Sequence, residues 1–285
     1  MPPGGIYDSI ARTMAKELPK HIGDVGVEVE AVTGGGGLNM LDRLARAKPD
    51  GTTIGLIPIA TWIMQAIDKP LDFDINDLSV LGLNKTAPYA TFLSARAGRY
   101  STWEEVRNST DTVKIGAAGS SSAPLAVAMD LDEHGTKFTV ARFEGNADLL
   151  LAGIAGDIDI LSGGLDGPLL DALKSGDLLN GFVFGERYAP TPDLPTHLEL
   201  GMPEEWTAIH PSMLFSAGLD VPAEVSDALA KALREALASS EFTEFSKTTG
   251  VPMDFSQGAE AREEVKQHSA FMENNPEYVK KYWIR

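Results

Sequence analysis

Four glycine- or serine-rich turns, each opening a stretch of helical periodicity, constrain this 285-residue chain more than any other feature. Pro2-Pro3-Gly4-Gly5 leads into Ile6, Ile10, Met14 and Leu18, which recur every four residues and form one apolar helix stripe. Thr33-Gly34-Gly35-Gly36-Gly37 follows Val25–Val32, where Val25, Val27 and Val29 take alternate positions, the period of a strand with two unlike faces. Gly119-Ser120-Ser121-Ser122-Ala123-Pro124 follows the apolar run Val113–Ala117, and Glu144-Gly145-Asn146 follows Phe138–Phe143. Strands that give way through short turns to helices predict an α/β protein with parallel or mixed sheets.

Further strands are expected at Thr52–Ile57, ended by Pro58, and at Val80–Leu83, Tyr89–Leu93, Ile158–Leu161, Gly181–Phe184 and Met213–Ser216. Leu38, Leu41, Leu44 and Ala45 mark a helix that Lys48-Pro49-Asp50-Gly51 stops. Ser101 and Glu104 have capping-box spacing, Gly156 and Gly176 are expected helix stops, and Pro222 is expected as a first helical residue. Ala95–Arg99 and the proline-rich Ala189–Pro203 are the clearest breaks in composition.

Charge and composition narrow the function. The net charge of −17 argues against nucleic acid, whose phosphates need a basic footprint, and against an anionic membrane surface. The absence of cysteine removes disulfides, thiolate metal sites and thiol nucleophiles. No apolar run approaches the roughly 18 residues that span a bilayer.

Enzyme motifs fail one by one. Gly34–Gly37 lacks both the GxGxxG spacing and a following P-loop lysine, and Gly119–Ser122 is not a nucleophile elbow. His21, His134, His197, His210 and His268 are scattered without metal-ligand spacing. Asp72, Asp74 and Asn76 resemble a calcium loop only until Asp77 stands where glycine is required. No catalytic residue, metal or cofactor is expected.

What remains is a way to hold an anion. A helix start presents free peptide N–H groups and about half a positive charge; glycine allows close approach, and serine adds a hydroxyl. Any single turn is also explained by loop chemistry alone, glycine for positive φ and serine as a cap. Four such turns, three of them after strands, favour a ligand, because open α/β sheets bind at the carboxyl ends of their strands.

At these residues the chain resembles the extracytoplasmic solute receptors of tripartite tricarboxylate transporters, the TctC or Bug receptors. The ordered landmarks are the Pro2–Gly5 turn with Asp8, Gly34–Gly37 with Asn39, Pro49-Asp50-Gly51, Lys114–Pro124, Arg142–Gly145, Gly156–Asp159 and Leu173–Leu178. Arg187 through Thr196, Glu199-Leu200-Gly201 and Pro222–Val225 complete the series, which covers nearly the whole chain. The resemblance implies a two-lobed α/β architecture of the type II periplasmic-binding-protein kind, with a mixed sheet in each lobe and a ligand cleft between them. Lobe one is then 1–95 with 205–285 and lobe two 96–204. Carried over by motif, the ligand-binding positions are Pro3, Gly4, Gly5, Gly35, Gly36, Gly37, Leu38, Ala60, Thr61, Ser120, Ser121, Ser122, Ala123, Gly145, Asn146, Gly164 and Asp166. The implied function is capture of a small carboxylate (a di- or tricarboxylate, an aromatic acid or an amino acid) and its delivery to the permease subunits of a secondary transporter.

The chain departs from the family pattern in three places. The usual strand ahead of Pro2–Gly5 has no counterpart, and loss of a central strand is expected to leave its neighbours with unpaired backbone groups. Glu144 replaces a common lysine, and Ser162-Gly163-Gly164 replaces an aspartate–threonine type of segment. Glu144 is expected either to accept an amine or to face solvent, and Tyr7, Trp62 and Met64 are either pocket walls or core. A monomer outside the cytoplasmic membrane, its export signal removed, is expected. The alternative is an α/β enzyme using the same turns for a phosphorylated or carboxylated substrate, which requires a convergent acid–base pair. Use of the receptor for sensing is a third reading.

Overall fold

The computed structural model describes residues 6–23, 25–34, 37–69, 71–118, 122–143, 145–165 and 167–282. In chain order the first elements are α1 (Ile6–Glu17), α2 (Pro19–Ile22), α3 (Leu38–Ala45), β1 (Ile54–Pro58), α4 (Ile59–Asp68) and β2 (Ser79–Lys85). Next come β3 (Tyr89–Ser94), α5 (Trp103–Arg107), β4 (Val113–Ala118), α6 (Ala123–Glu133), β5 (Phe138–Phe143) and α7 (Asn146–Ala155). Then follow β6 (Ile160–Gly164), α8 (Gly167–Ser175), β7 (Leu178–Val183) and β8 (Ser212–Ala217). The last elements are α9 (Ala223–Leu237), α10 (Ser240–Thr249), β9 (Asp254–Ser256), α11 (Gly258–Glu273) and α12 (Pro276–Tyr282).

The chain divides into two compact units, Met1–Thr86 with Ser212–Glu273 and Ala87–Pro211 with Asn274–Arg285. In the first, four strands run in the order β1-β8-β2-β9, and each described pairing is antiparallel. The α1 stripe of Ile10, Met14 and Leu18 meets Leu229 and Leu233 of α9 and Phe242 of α10 in a shared core with Leu81 and Phe215. Gly82 lets β9 come close: a Cβ there would lie 2.1 Å from the Phe255 ring and 2.7 Å from the Ser256 carbonyl oxygen.

One expected strand of this unit does not form. Residues 25–33 pair with no strand among the described residues. They are tethered through side chains instead: Arg43 donates to both oxygens of Glu30 at 2.5 and 2.6 Å, and Asn39 Nδ2 donates to the Thr33 carbonyl at 3.1 Å. Alternation specifies two faces, but a ladder needs a neighbouring backbone at about 4.8 Å.

The second unit is built on a mixed sheet, β5-β4-β6-β3-β7, with β4 parallel to both β5 and β6 and β3 antiparallel to β6 and β7. The expected boundary at 95/96 groups β3 with the first part of the chain; in the structure β3 is hydrogen-bonded on both sides within this second sheet. Near the C-terminus, α12 also joins this unit, where Tyr278 Oη donates to Asp132 Oδ2 at 2.7 Å. Leu149 and Ile158 pack over Gly116 of β4, where a Cβ would stand 2.4–2.5 Å from their terminal carbons. Asp130, 2% exposed, accepts from Arg107 Nε at 2.8 Å and Nη2 at 2.5 Å and from Trp103 Nε1 at 3.0 Å. A buried charge of this kind is tolerated because it is paired and fully hydrogen-bonded.

Helix ends follow local chemistry, with one shift. The cap of α5 is Thr102, which accepts from the Glu105 N–H at 3.2 Å, while Glu105 accepts from the Ser101 N–H at 2.6 Å. The capping pair is therefore one residue beyond the expected Ser101 and Glu104. Gly156 ends α7 in the left-handed region (φ 81°), as its position predicted. Pro222 is the residue before α9 rather than its first. No helix among the described residues is long and apolar enough to cross a membrane.

Candidate functional site

The second unit brings three helix starts to one edge of its sheet. The central strand β4 lies between β5 and β6, with Ala118 opposite Phe143 and Ala117 opposite Ser162. All three strands run in the same direction, so their carboxyl ends lie side by side at spacings of about 4.8 Å. Each is followed within a few residues by a helix: β4 by α6 at Ala123, β5 by α7 at Asn146, and β6 by α8 at Gly167. Three positive helix ends thus arise together. The first turns of α6 and α8 carry no acidic side chain that would cancel this charge; α7 has Asp148.

Ser122 stands at the head of α6. It is fully buried, makes no side-chain capping bond, and its Oγ has no hydrogen-bond partner among the described residues. Such a hydroxyl forfeits about 1–3 kcal/mol of desolvation unless something meets it. The Pro124 ring fixes the first turn without contributing an N–H. At the head of α7, Gly145 is extended and bears no side chain that could cap the helix, which leaves that end open. Asn146 reaches toward the end of β6: its Oδ1 is 3.7 Å from where a Cβ on Gly163 would be.

Of the expected site residues, Ser122, Ala123, Gly145, Asn146 and Gly164 therefore fall on this one edge. Pro3, Gly4, Gly5, Gly35, Gly36, Ser120, Ser121 and Asp166 lie outside the described residues, as does Glu144. In the first unit Gly37 precedes α3 in the left-handed region (φ 101°), donating its N–H to the Gly34 carbonyl at 3.0 Å, and Leu38 is the first helical residue. Ala60 and Thr61 occupy the first turn of α4, immediately beyond β1, and α3 packs against both β1 and α4. The side chains of Thr61, Trp62 and Met64 are outside the description, while Tyr7 is half-buried against the first unit's core.

Two further residues of the edge lie outside the expected ligand-binding set, although the sequence flagged Gly163 within Ser162–Gly164. Gly163 leaves the space beside Asn146, and Tyr89 begins β3 directly opposite Gly164. The signal for Tyr89 was its place at the start of a strand, but that β3 runs antiparallel beside β6 is decided only by tertiary pairing.

Among the described residues no group of three or more His, Asp or Glu side chains could hold a metal. His197 is buried beside the end of β7: Gly185 N–H donates to its Nδ1 at 3.1 Å, and burial pushes its pKa below the ordinary imidazole value.

The profile of the tripartite tricarboxylate transporter family receptor, TctC, matches residues 10–273. The chain belongs to the TctC family. It is a family of receptors, not of enzymes. A TctC solute-binding protein from Polaromonas, solved without ligand, superposes with a TM-score of 0.80 at 20% identity, covering 98% of this chain and 95% of that one. MatC from Rhodopseudomonas palustris with bound malate gives 0.69 at 22% identity, over 98% and 95% of the two chains. An R. palustris protein with adipate gives 0.69 at 18% identity, over 98% and 94%. These likenesses establish the type II periplasmic-binding-protein fold. A search of curated proteins finds none that matches the chain.

Proposed function

We propose that this TctC-family receptor captures a small di- or tricarboxylate, held by peptide N–H groups and hydroxyls rather than by cationic side chains. The observation that carries the reading is the buried Ser122 hydroxyl at the head of α6, without a hydrogen-bond partner among the described residues and on the same sheet edge as the starts of α7 and α8. A carboxylate oxygen there accepts from Ser122 and from first-turn N–H groups, and the helix ends supply the positive potential that a chain of net charge −17 otherwise lacks. Ser120, Ser121, Ala123, Gly145, Asn146, Gly164 and Asp166 complete the proposed contacts on this unit. Pro3, Gly4, Gly5, Gly35, Gly36, Gly37, Leu38, Ala60 and Thr61 are the proposed contacts contributed by the first unit. The bound malate and adipate of two structural relatives support the dicarboxylate class.

The receptor works as a monomer outside the cytoplasmic membrane and hands its ligand to the permease subunits of a tripartite transporter, without cofactor or catalytic turnover. Thermal unfolding against a panel of dicarboxylates, tricarboxylates, aromatic acids and amino acids tests this. A ligand that binds only the folded protein stabilises it by about 2.7 kcal/mol at a hundred times its Kd. At least one carboxylate must raise the midpoint; a folded protein that none of them stabilises overturns the reading.

A further inference from the structure

At the edge where α6, α7 and α8 begin, the two faces of the second unit's sheet differ. On β6, Gly163 faces α7 and α8: a Cβ there would lie 3.1 Å from Leu169 Cδ1 and 3.7 Å from Asn146 Oδ1. Gly164, the next residue, is on the other face, because side-chain positions alternate along a strand. That face belongs to α6. The steps β4-α6-β5 and β5-α7-β6 cross the sheet in opposite senses, so right-handed crossovers put α6 and α7 on opposite faces. Ser162 shares the face of Gly164, and its hydroxyl lies 2.8 Å from that of Thr91 on β3.

This hydroxyl pair fixes the direction of Tyr89. Residues directly opposite each other in an antiparallel ladder share a face. Thr91 is opposite Ser162 and Tyr89 is opposite Gly164, so the Tyr89 side chain rises on the side of α6. Since β3 runs against β6, Tyr89, its first residue, stands at the carboxyl end of β6. The head of α6, Gly164 and Tyr89 therefore occupy one face and one end of the sheet, on the neighbouring strands β4, β6 and β3.

There is room between them. Apart from its own chain neighbours, no atom of the described residues lies within 4 Å of a Cβ built on Gly164. Gly164 is also outside the left-handed region, so neither packing nor backbone conformation requires a glycine there. A glycine in a strand weakens it and marks a place where a ligand or another backbone comes close. Its neighbour across the ladder is a half-buried aromatic, whose ring offers a broad apolar surface.

We propose that Tyr89 is a specificity-determining residue of the carboxylate site, an inference that rests on carboxylate capture at the head of α6. The ligand's carbon skeleton lies over Gly164, and the Tyr89 ring is the wall beside it. The wall selects carboxylates without a bulky group on carbon 2, the carbon next to the carboxylate held at α6.

The test begins with calorimetric titration to find the di- or tricarboxylate that the parent protein binds most tightly. That ligand and its 2-methyl derivative are then compared across three variants. Gly164→Ala is expected to keep or raise the urea midpoint and to lose at least tenfold in affinity, because its methyl group stands where the skeleton lies. Tyr89→Phe keeps the ring and is expected to stay within threefold of the parent. Tyr89→Ala is expected to relax the parent's discrimination against the 2-methyl ligand at least tenfold, within the range of about 10- to 200-fold that one such group is worth in a pocket. A merely structural Tyr89 would lower the urea midpoint and leave the ratio of the two affinities unchanged. Should Tyr89→Ala fail to fold, Gly164→Ala decides alone. Parental affinity in Gly164→Ala, or an unchanged ratio in folded Tyr89→Ala, overturns the proposal and leaves carboxylate capture standing. A parent protein that binds no carboxylate overturns both.

Discussion

Replacing Ser122 by alanine separates a ligand-facing hydroxyl from a structural one, because the two readings predict opposite signs. Among the described residues the buried Ser122 Oγ meets no partner, so without a ligand it contributes desolvation with no compensating bond. Removing it relieves a part of about 1–3 kcal/mol. Ser122→Ala is therefore expected to unfold at an equal or higher urea midpoint. Bound to a carboxylate, the same hydroxyl donates to a charged acceptor, a bond of about 1.5–3 kcal/mol. Its loss should weaken binding by roughly 10- to 150-fold, at 1.4 kcal/mol per decade. Equilibrium unfolding and titration calorimetry on one preparation give both numbers. If Ser122→Ala loses more than about 1 kcal/mol of stability and keeps its affinity, the hydroxyl is a structural cap and the site reasoning fails.

Other perturbations have directions fixed by the packing. Asp130→Ala strands the Arg107 guanidinium in the second unit and should cost about 3–5 kcal/mol in urea unfolding; a loss below 1 kcal/mol would show that Arg107 finds water. Gly116→Val forces side-chain carbons into the space held by Leu149 and Ile158 and should destabilise by about 1–3 kcal/mol or more, measured by the same transition. His197 is held neutral by burial, so as pH falls through about 6.5 the unfolded chain takes up its proton first, and stability is lost on the way toward the lower folded value. Unfolding free energy measured between pH 7.5 and 5.5 should therefore slope less in His197→Gln than in the parent; identical slopes would contradict the burial argument.

Much of the fold is legible in the sequence because periodicity and punctuation are local. Phe138–Phe143 was bounded correctly by its own composition, and Gly156 marked the end of α7 because a left-handed residue is needed there. Pairing is not local. Val25–Val32 carries a strand's alternation and still joins no ladder among the described residues, since nothing in eight residues says which backbone will lie beside them. α4 escaped notice because it follows Pro58 with no turn residue between, and β9 because three residues are too few to show a period. At the candidate site, the helix heads were readable: Ser122 stands at the start of α6, and Gly145 and Asn146 at the start of α7. That Ser122 lacks a partner among the described residues, or that Gly163 lies beside Asn146, is decided by tertiary packing.

Peptide N–H groups at the heads of α6, α7 and α8 are the proposed grip on the carboxylate. The most direct measurement is a dicarboxylate titration of 15N-labelled protein followed at backbone amides. Saturable shifts concentrated at Ser122, Ala123, Asn146 and Gly167 are expected. Binding that leaves those amides unmoved and shifts lysine- or arginine-bearing segments instead would contradict it.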